Sequence, residues 1–196
     1  MQLSARRLIE LKVTHLLGKA NITAPPIDVE RIANILHIPI RFEVLPETIS
    51  GFLHRNDASA TIVVNKKHPK QRQRFTIAHE IAHFVLGHKT DQIHVDRTYE
   101  ISIRQDRRTG RAGVKFRKEP GTDQLGMRDR DEVHANAFAA ALLMPRSMVT
   151  KDMKKASSTG SFDDSLIAEL TKRYDVSERA LIIQLNTLNL TPSFLP

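Results

Sequence analysis

Two histidines and a glutamate stand at helical spacing inside an apolar stretch of the chain. They are His79, Glu80 and His83, in the pattern H-E-x-x-H. Residues four apart lie on one face of a helix, so both imidazoles can bind one ion while Glu80 reaches toward the same space. The neighbours that predict a buried helix are Ile77, Ala78, Ile81, Ala82, Phe84, Val85 and Leu86. Burying these polar groups is costly without a partner, so the pattern favours a metal-dependent hydrolase over two hydrogen-bonded core histidines and a capped glutamate.

A catalytic zinc site needs a third protein ligand, which must come from later in the chain. The stretch 131–145 is predicted to be a second apolar helix, with Asp129 or Asp131 at its start and Pro145 marking its end. Glu132 and Asn136 lie four apart on this helix. One of them can therefore bind the ion while the other orients a neighbour through a hydrogen bond.

Two further histidines lie close to these motifs in the sequence. His134 is two residues from Glu132 and should face elsewhere, at the surface or the rim of the site. His88 is five residues beyond His83, which on a continuous helix turns it away from the ligand face. Neither is predicted to be a ligand.

The elements before the first motif predict a small sheet preceded by helices. Residues 3–17 have the apolar spacing of an amphipathic helix, and Asp28 is a predicted N-cap for a helix ending near Leu36, with Ile27 and Ile32 as a hydrophobic staple. Three strand-like stretches follow at 38–44, 51–54 and 61–64, separated by turn residues. The expected fold class is α+β, with an antiparallel or mixed sheet packed on the helices that carry the site.

A basic region lies between the two helical motifs. Residues 100–104 and 113–117 alternate around the turn-rich stretch 107–110, which predicts a hairpin, with a disordered loop as the alternative. Positive residues cluster over 104–118 and around 66–74. An uneven positive field favours an acidic partner, although a solvated surface is the commoner meaning of a charge run.

The end of the chain reads as a separate helical segment. The stretch 157–161 is the best candidate for a linker, dividing a catalytic region, 1–155, from a helical segment, 162–190, that packs on it. Residues 164–185 carry two amphipathic helices around a short turn, with Ser177 capping the second. This resembles a helix-turn-helix, so DNA binding is conceivable, but only Arg179 and Gln184 could read bases.

Composition sets outer bounds on these readings. The chain has 196 residues, a formal net charge of +8 and no cysteine. Metal ligands must therefore be His, Asp or Glu, and disulfides are excluded. The first ten residues mix charges among apolar side chains, unlike a signal peptide, and no stretch has the length of a membrane span. We expect a soluble cytoplasmic protein.

Several motifs, taken in order, carry a family resemblance. They are Arg72 to Glu80, the pattern E-x-x-A-N-x-F-A-x-x-L-L-M-P from Glu132 to Pro145, Pro26 to Val29 leading to Ile38, and Ser50-Gly51-Phe52 followed by Ile62 to Asn65. Together they resemble the ImmA/IrrE family of bacterial and phage metallopeptidases, over residues 25 to 188. One feature departs from the expected pattern. Glu132 follows His83 by 49 residues, which is long, and the excess coincides with the basic hairpin, so substrate choice can differ from better-known members.

The resemblance implies a gluzincin-like fold with His79, His83 and Glu132 as metal ligands and Glu80 as the general base. It also implies that the substrate is a helix-turn-helix repressor whose cleavage relieves repression of mobile-element or stress genes. Zinc fits the ligand set best, although manganese or iron can occupy two histidines and a carboxylate.

The chemistry expected of this set is peptide-bond hydrolysis. Zinc would activate water and polarise the scissile carbonyl, and Glu80 would take the proton of the water and pass it to the leaving amine. The charge that develops on the carbonyl oxygen needs a further donor. Tyr99, His94 and His134 are candidates among which spacing does not choose.

Two other functions stay open at this level. The chain can be a transcription regulator or toxin-antitoxin component that acts by protein or DNA binding without cleavage. It can also be a peptidase of short peptides, although no residue that would grip a free terminus can be identified. A neighbouring gene for a repressor would name the natural substrate.

Overall fold

The computed structural model describes residues 4–55, 59–88, 93–97, 100–105, 112–117, 126–159 and 164–190. Within these ranges, helices and strands share the chain, which confirms the predicted α+β class. The helices are α1 (Ala5–Lys19), α2 (Val29–Ile35), α3 (Lys70–Leu86), α4 (Gly126–Leu143), α5 (Arg146–Thr159), α6 (Asp164–Tyr174) and α7 (Glu178–Leu188). The strands are β1 (Ile40–Glu43), β2 (Ile49–Arg55), β3 (Ala60–Asn65), β4 (Ile93–Arg97), β5 (Glu100–Gln105) and β6 (Ala112–Arg117).

A mixed sheet carries the first four strands in the order β1-β3-β2-β4. β1 runs parallel to β3, and β2 runs antiparallel to both β3 and β4. The three predicted strands are confirmed. β4 was not predicted. Its residues follow α3 in the sequence, whereas the three predicted strands precede α3.

The sheet packs against α3 through close approach at Gly51. A Cβ at this position would lie 2.5 Å from the carbonyl oxygen of Val63 and 2.6 Å from Cγ2 of Thr76. Beside it, the guanidinium of Arg72 donates to Oγ of Ser50 at 2.9 and 3.2 Å. Absence of a side chain at Gly51 therefore sets the distance between the sheet and the helix that carries the histidines.

Asn65, at the end of β3, fixes the loop before β2. It is fully buried, and its Nδ2 lies 3.0 to 3.2 Å from the carbonyl oxygens of Leu45, Pro46 and Ile49. Its Oδ1 accepts from the backbone N–H of Lys67 at 3.1 Å. One buried amide thus satisfies backbone groups on both sides of β3, just before α3 begins.

The two N-terminal helices form as predicted. Oδ1 of Asp28 accepts from the backbone N–H of Arg31 at 2.9 Å, which is the expected N-cap of α2. Ile27 and Ile32 are both fully buried. Nζ of Lys12 in α1 donates to the carbonyl oxygen of Val85 at 3.0 Å, near the C-terminal end of α3.

The second motif helix begins earlier than predicted and ends before Pro145, as predicted. α4 begins at Gly126, earlier than the predicted start at Asp129 or Asp131, and it ends at Leu143. Pro145 marks this end, and α5 starts at the next residue, Arg146. Residues 157–159 of the predicted linker 157–161 are helical instead, because α5 continues to Thr159, and residues 160 and 161 lie outside the described residues.

The C-terminal helices α6 and α7 contribute to the same hydrophobic core as α1 to α4. Oγ of Ser177 accepts from the N–H of Ala180 at 3.2 Å, which confirms the predicted cap of α7. The turn between the helices is tied to α3 by an ion pair of 3.3 Å between Arg74 Nε and Asp175 Oδ2. The hydroxyl of Tyr174 donates to Oδ2 of Asp152 on α5 at 2.8 Å.

The backbone of the basic hairpin is paired as predicted. β5 and β6 are antiparallel in a sheet of their own, with Glu100 opposite Arg117 and Gln105 opposite Ala112. The turn 106–111 and residue Lys118 lie outside the described residues. Among the helices that the structure describes, none is long and apolar enough to cross a membrane.

Candidate metal centre

α3 holds both histidines of the motif in the core. Its residues 76–83 are all buried, and His79, Glu80 and His83 are at most 1% exposed. The helix ends at Gly87, whose φ of 69° is a left-handed conformation that glycine adopts without strain. α4 packs along α3 and brings the second motif against the first.

The three predicted ligands meet at one point. Nε2 of His79 and Nε2 of His83 are 3.0 Å apart, and the two carboxylate oxygens of Glu132 each lie 3.4 Å from one of them. A tetrahedral zinc with bonds of roughly 2.0 to 2.1 Å places neighbouring ligand atoms about 3.3 Å apart. The donor set and its spacing therefore fit a metal ion, and this His/Glu cluster can hold one.

Asn136 fixes the ring of His79. Its Oδ1 lies 3.1 Å from Nδ1 of His79. An amide oxygen only accepts, so Nδ1 of His79 donates, and the lone pair of the ring is on Nε2, which faces His83 and Glu132. This is the division of labour predicted for the pair one turn apart on α4, with Asn136 as the orienting residue.

Glu80 is buried on the same helix turn as the two histidines, beside Arg55 of β2. Burial lowers the pKa of the Arg55 guanidinium, and the charge of Glu80 partly opposes that shift. Nη2 of Arg55 donates to the carbonyl oxygen of His83 at 2.9 Å, and its guanidinium carbon is 5.1 Å from the ring centroid of Phe84. Arg55 thus places a positive charge at the C-terminal end of α3, where the helix dipole favours it. Sequence reasoning missed this residue, since nothing in a strand-end arginine marks its contact with a helix end.

His88 lies against the site, contrary to the prediction that it turns away. That prediction assumed a continuous helix, but α3 stops at Gly87 and the chain folds back, so the N–H of His88 bonds to the carbonyl oxygen of His83 at 3.2 Å. Nδ1 of His88 is 3.1 Å from Nδ1 of His83, and the two rings meet edge to face, with centroids 5.0 Å apart. The signal that could have found this is the Leu-Gly-His sequence, in which glycine ends a helix and reverses the chain.

A second group of potential ligands surrounds His88. Its Nε2 lies 3.6 Å from Oδ1 of Asp131, and its ring centroid lies 6.4 Å from that of His134. Burial lowers the pKa of His88, and the carboxylate of Asp131 opposes this. His134 is partly exposed on α4, in keeping with the predicted rim position. The three side chains offer ligand atoms within 4.8 Å of one another.

Of the three residues predicted as candidates for stabilising the carbonyl oxygen, only His134 has a described side chain. Tyr99 lies outside the described residues. His94 belongs to β4, but its side chain lies outside the described part. His134 is described, and its ring lies near the ring of His88, with centroids 6.4 Å apart.

An apolar groove of about 820 Å³ runs between α1, α4 and α7. Phe75 and Asn136 are among the residues that line it, and none of His79, Glu80, His83 or Glu132 is. Gln184 also borders it, but this side chain is only 4% exposed and donates to the carbonyl oxygen of Met144 at 3.1 Å. One of the two residues predicted to read DNA bases is therefore committed to the core, while Arg179 is exposed.

Residues 33–112 match the peptidase family M78, whose description is IrrE N-terminal-like domain. The predicted resemblance to the ImmA/IrrE family is confirmed over this segment, which contains His79, Glu80 and His83 but ends before Glu132. No curated protein matches the chain. The match supports a metallopeptidase-like function, and the His/Glu cluster supplies residues for the metal on which such peptidases depend.

Proposed function

We propose that the chain is a zinc-dependent endopeptidase that cleaves a partner protein in the cytoplasm. The observation that carries this proposal is the convergence of His79, His83 and Glu132 at ligand spacing, with Glu80 buried on the same helix turn. Two neutral imidazoles and one carboxylate are a common catalytic zinc set, and manganese is a possible replacement.

The roles of the residues follow from their chemistry. A divalent ion held by the three ligands would polarise the scissile carbonyl and make the attacking water more acidic. Glu80 is the only carboxylate of the H-E-x-x-H turn, and it would accept the proton of that water and donate it to the leaving amine. Asn136 keeps His79 in the tautomer that presents Nε2, so the ligand needs no rearrangement before binding.

For the substrate, we propose a helix-turn-helix transcriptional repressor, whose cleavage would relieve repression in a stress, mobile-element or toxin-antitoxin setting. The support is the family similarity of residues 33–112 together with the paired motifs. A chain that instead regulates by binding alone would need the folded structure but would not need Glu80 as a general base. Substitution of Glu80 therefore distinguishes the two functions.

The test uses the purified chain loaded with zinc and, as substrate, a helix-turn-helix repressor encoded near its gene. We expect cleavage products by mass spectrometry from the unaltered chain and none from Glu80→Gln, which keeps the shape of the side chain but cannot accept a proton. Zinc content of the Gln variant should stay near that of the parent. Equal cleavage by the parent and Glu80→Gln would reject Glu80 as the base. If both proteins inactivate the repressor without cleaving it, the binding function is favoured.

A further inference from the structure

His88 connects a ligand of the candidate metal centre to a carboxylate. Its Nδ1 faces Nδ1 of His83 at 3.1 Å, and its Nε2 faces Oδ1 of Asp131 at 3.6 Å. It is 9% exposed, and the proposed mechanism gives it no task. Because each ring nitrogen of this buried imidazole has a polar neighbour, its tautomer determines which neighbour receives a hydrogen bond and which donates one.

The contact between the two Nδ1 atoms holds one hydrogen, because one nitrogen must donate and the other accept. If His88 donates, Nδ1 of His83 accepts, and the hydrogen of the His83 ring is on Nε2. That nitrogen then has no lone pair for a metal. If His83 donates, its Nε2 keeps a lone pair that can bind a metal, and the hydrogen of His88 is on Nε2, directed at the carboxylate of Asp131.

Only the second arrangement is compatible with an ion held by His79, His83 and Glu132. His83 would then present a lone pair on Nε2 to the ion beside that of His79, while His88 accepts at Nδ1 and donates at Nε2 to Asp131. The same arrangement removes His88 as a ligand in the cluster with Asp131 and His134. With neutral imidazoles, His83 at the candidate metal centre and His88 at a second ion exclude one another.

We propose that His88 and Asp131 are positioning residues that hold His83 in its metal-binding tautomer, and that they do not form a second metal site with His134. Metal-bound histidines generally donate their other ring N–H to an acceptor that fixes the ring. Here the acceptor is a second histidine, and its own orientation is set by a carboxylate on α4, one residue before Glu132. The inference rests on the proposed metal centre, but it does not depend on peptide cleavage.

The test measures zinc affinity and stoichiometry of the full chain by competition with a chromophoric chelator. We expect one zinc per chain, and a loss of affinity of roughly 10- to 100-fold in His88→Ala, the usual effect of removing such a partner. His88→Gln should recover part of the affinity, since its amide oxygen can accept from His83. Asp131→Asn should weaken binding less than His88→Ala. His134→Ala is the matched control, a neighbour in the same cluster, and should bind zinc as the parent does.

A second measurement covers the case in which His88→Ala does not fold. In the zinc-loaded parent labelled with ¹⁵N-histidine, two-bond ¹H–¹⁵N correlations should show the proton of His83 on Nδ1 and that of His88 on Nε2. A proton on Nδ1 of His88, a second zinc that disappears in His134→Ala, or unchanged affinity in a folded His88→Ala would overturn the proposal. If the parent binds no zinc, the peptidase proposal is rejected as well. If the parent binds one zinc and a folded His88→Ala variant binds it equally tightly, this inference alone is rejected.

Discussion

Oδ1 of Asn136 accepts a hydrogen bond from Nδ1 of His79 at 3.1 Å, one helical turn beyond Glu132. The same face of α4 therefore supplies both a potential ligand and the group that orients another ligand. A single rotation of α4 would disturb both. The long segment between His83 and Glu132 does not weaken this coupling, since it is set by packing of α3 on α4.

Replacing Asn136 tests this coupling. In Asn136→Ala the N–H of His79 loses its acceptor, and we expect zinc affinity to fall by roughly 10- to 100-fold. Asn136→Asp is the matched control, because a carboxylate also accepts, and it should keep most of the affinity. Chelator competition measures both variants. An Ala variant that binds as tightly as the parent would mean that packing alone orients His79.

Glu132 is the one predicted ligand that lies outside the residues matched to the family. Glu132→Ala removes one of three bonds to the ion, so we expect most zinc to be lost in elemental analysis after dialysis. Glu178→Ala, at an exposed position on α7, is the control and should retain full zinc. Full occupancy in Glu132→Ala would move the third ligand elsewhere, to Asp129, Asp131 or His134.

The close contact at Gly51 predicts a stability effect. In Gly51→Ala the new methyl meets the backbone oxygen of Val63, which cannot rotate away, so we expect a loss of roughly 1 to 3 kcal/mol in the free energy of unfolding. Gly18→Ala is the matched control, because a Cβ there has no neighbour within 4 Å, and it should be neutral or stabilising by at most about 1 kcal/mol. Urea denaturation of metal-free protein gives both values. Equal stability of the two variants would show that the sheet can move away from α3 without cost.

The local elements of this fold were readable from the sequence because their signals are local. The N-caps at Asp28 and Ser177 need only the next three residues, and the alternation in β3 needs only its own side chains. The H-E-x-x-H spacing likewise predicts that His79 and His83 share a face, which the structure shows.

The features that the sequence did not predict depend on contacts between residues that are distant in the sequence. β4 is a strand because β2 offers an edge to pair with, and its own pattern did not reveal it. His88 was placed wrongly because a helical wheel continues past Gly87, whereas the chain does not. Gln184 looked like a surface group, yet the carbonyl oxygen of Met144, 40 residues away, satisfies it in the core.

Tyr174 predicts a pH dependence of stability. Burial, then its hydrogen bond to Asp152, raises the pKa of this hydroxyl above the usual 10.0, so the folded chain keeps it neutral. The stabilisation is complete below pH 10 and is lost as the pH rises above it, because the unfolded chain then releases the proton more readily. Tyr174→Phe should cost about 1 kcal/mol at pH 8 for the lost hydrogen bond, and this deficit should shrink at pH 10.5. Denaturation at both pH values checks the difference, and a deficit that does not change with pH would contradict it.

The last prediction concerns the basic hairpin, which joins the region of α3 to that of α4. Its paired strands β5 and β6 lie in sequence between His83 and Glu132, so both ends of this insertion connect to elements of the candidate metal centre. Its positive charge should attract an acidic stretch of the substrate protein and speed encounter, mostly at low salt. Replacing Arg107, Arg108 and Arg111 together by Gln should slow cleavage at about 50 mM salt, and the difference from the parent should shrink as ionic strength rises and screening shortens the range of the field. Zinc content should not change.

The matched control is a triple Gln variant of Arg6, Lys19 and Arg31 on α1 and α2, which removes the same charge elsewhere. Equal slowing by both triple variants would assign the effect to net charge, and no slowing by either would remove the hairpin from substrate recognition.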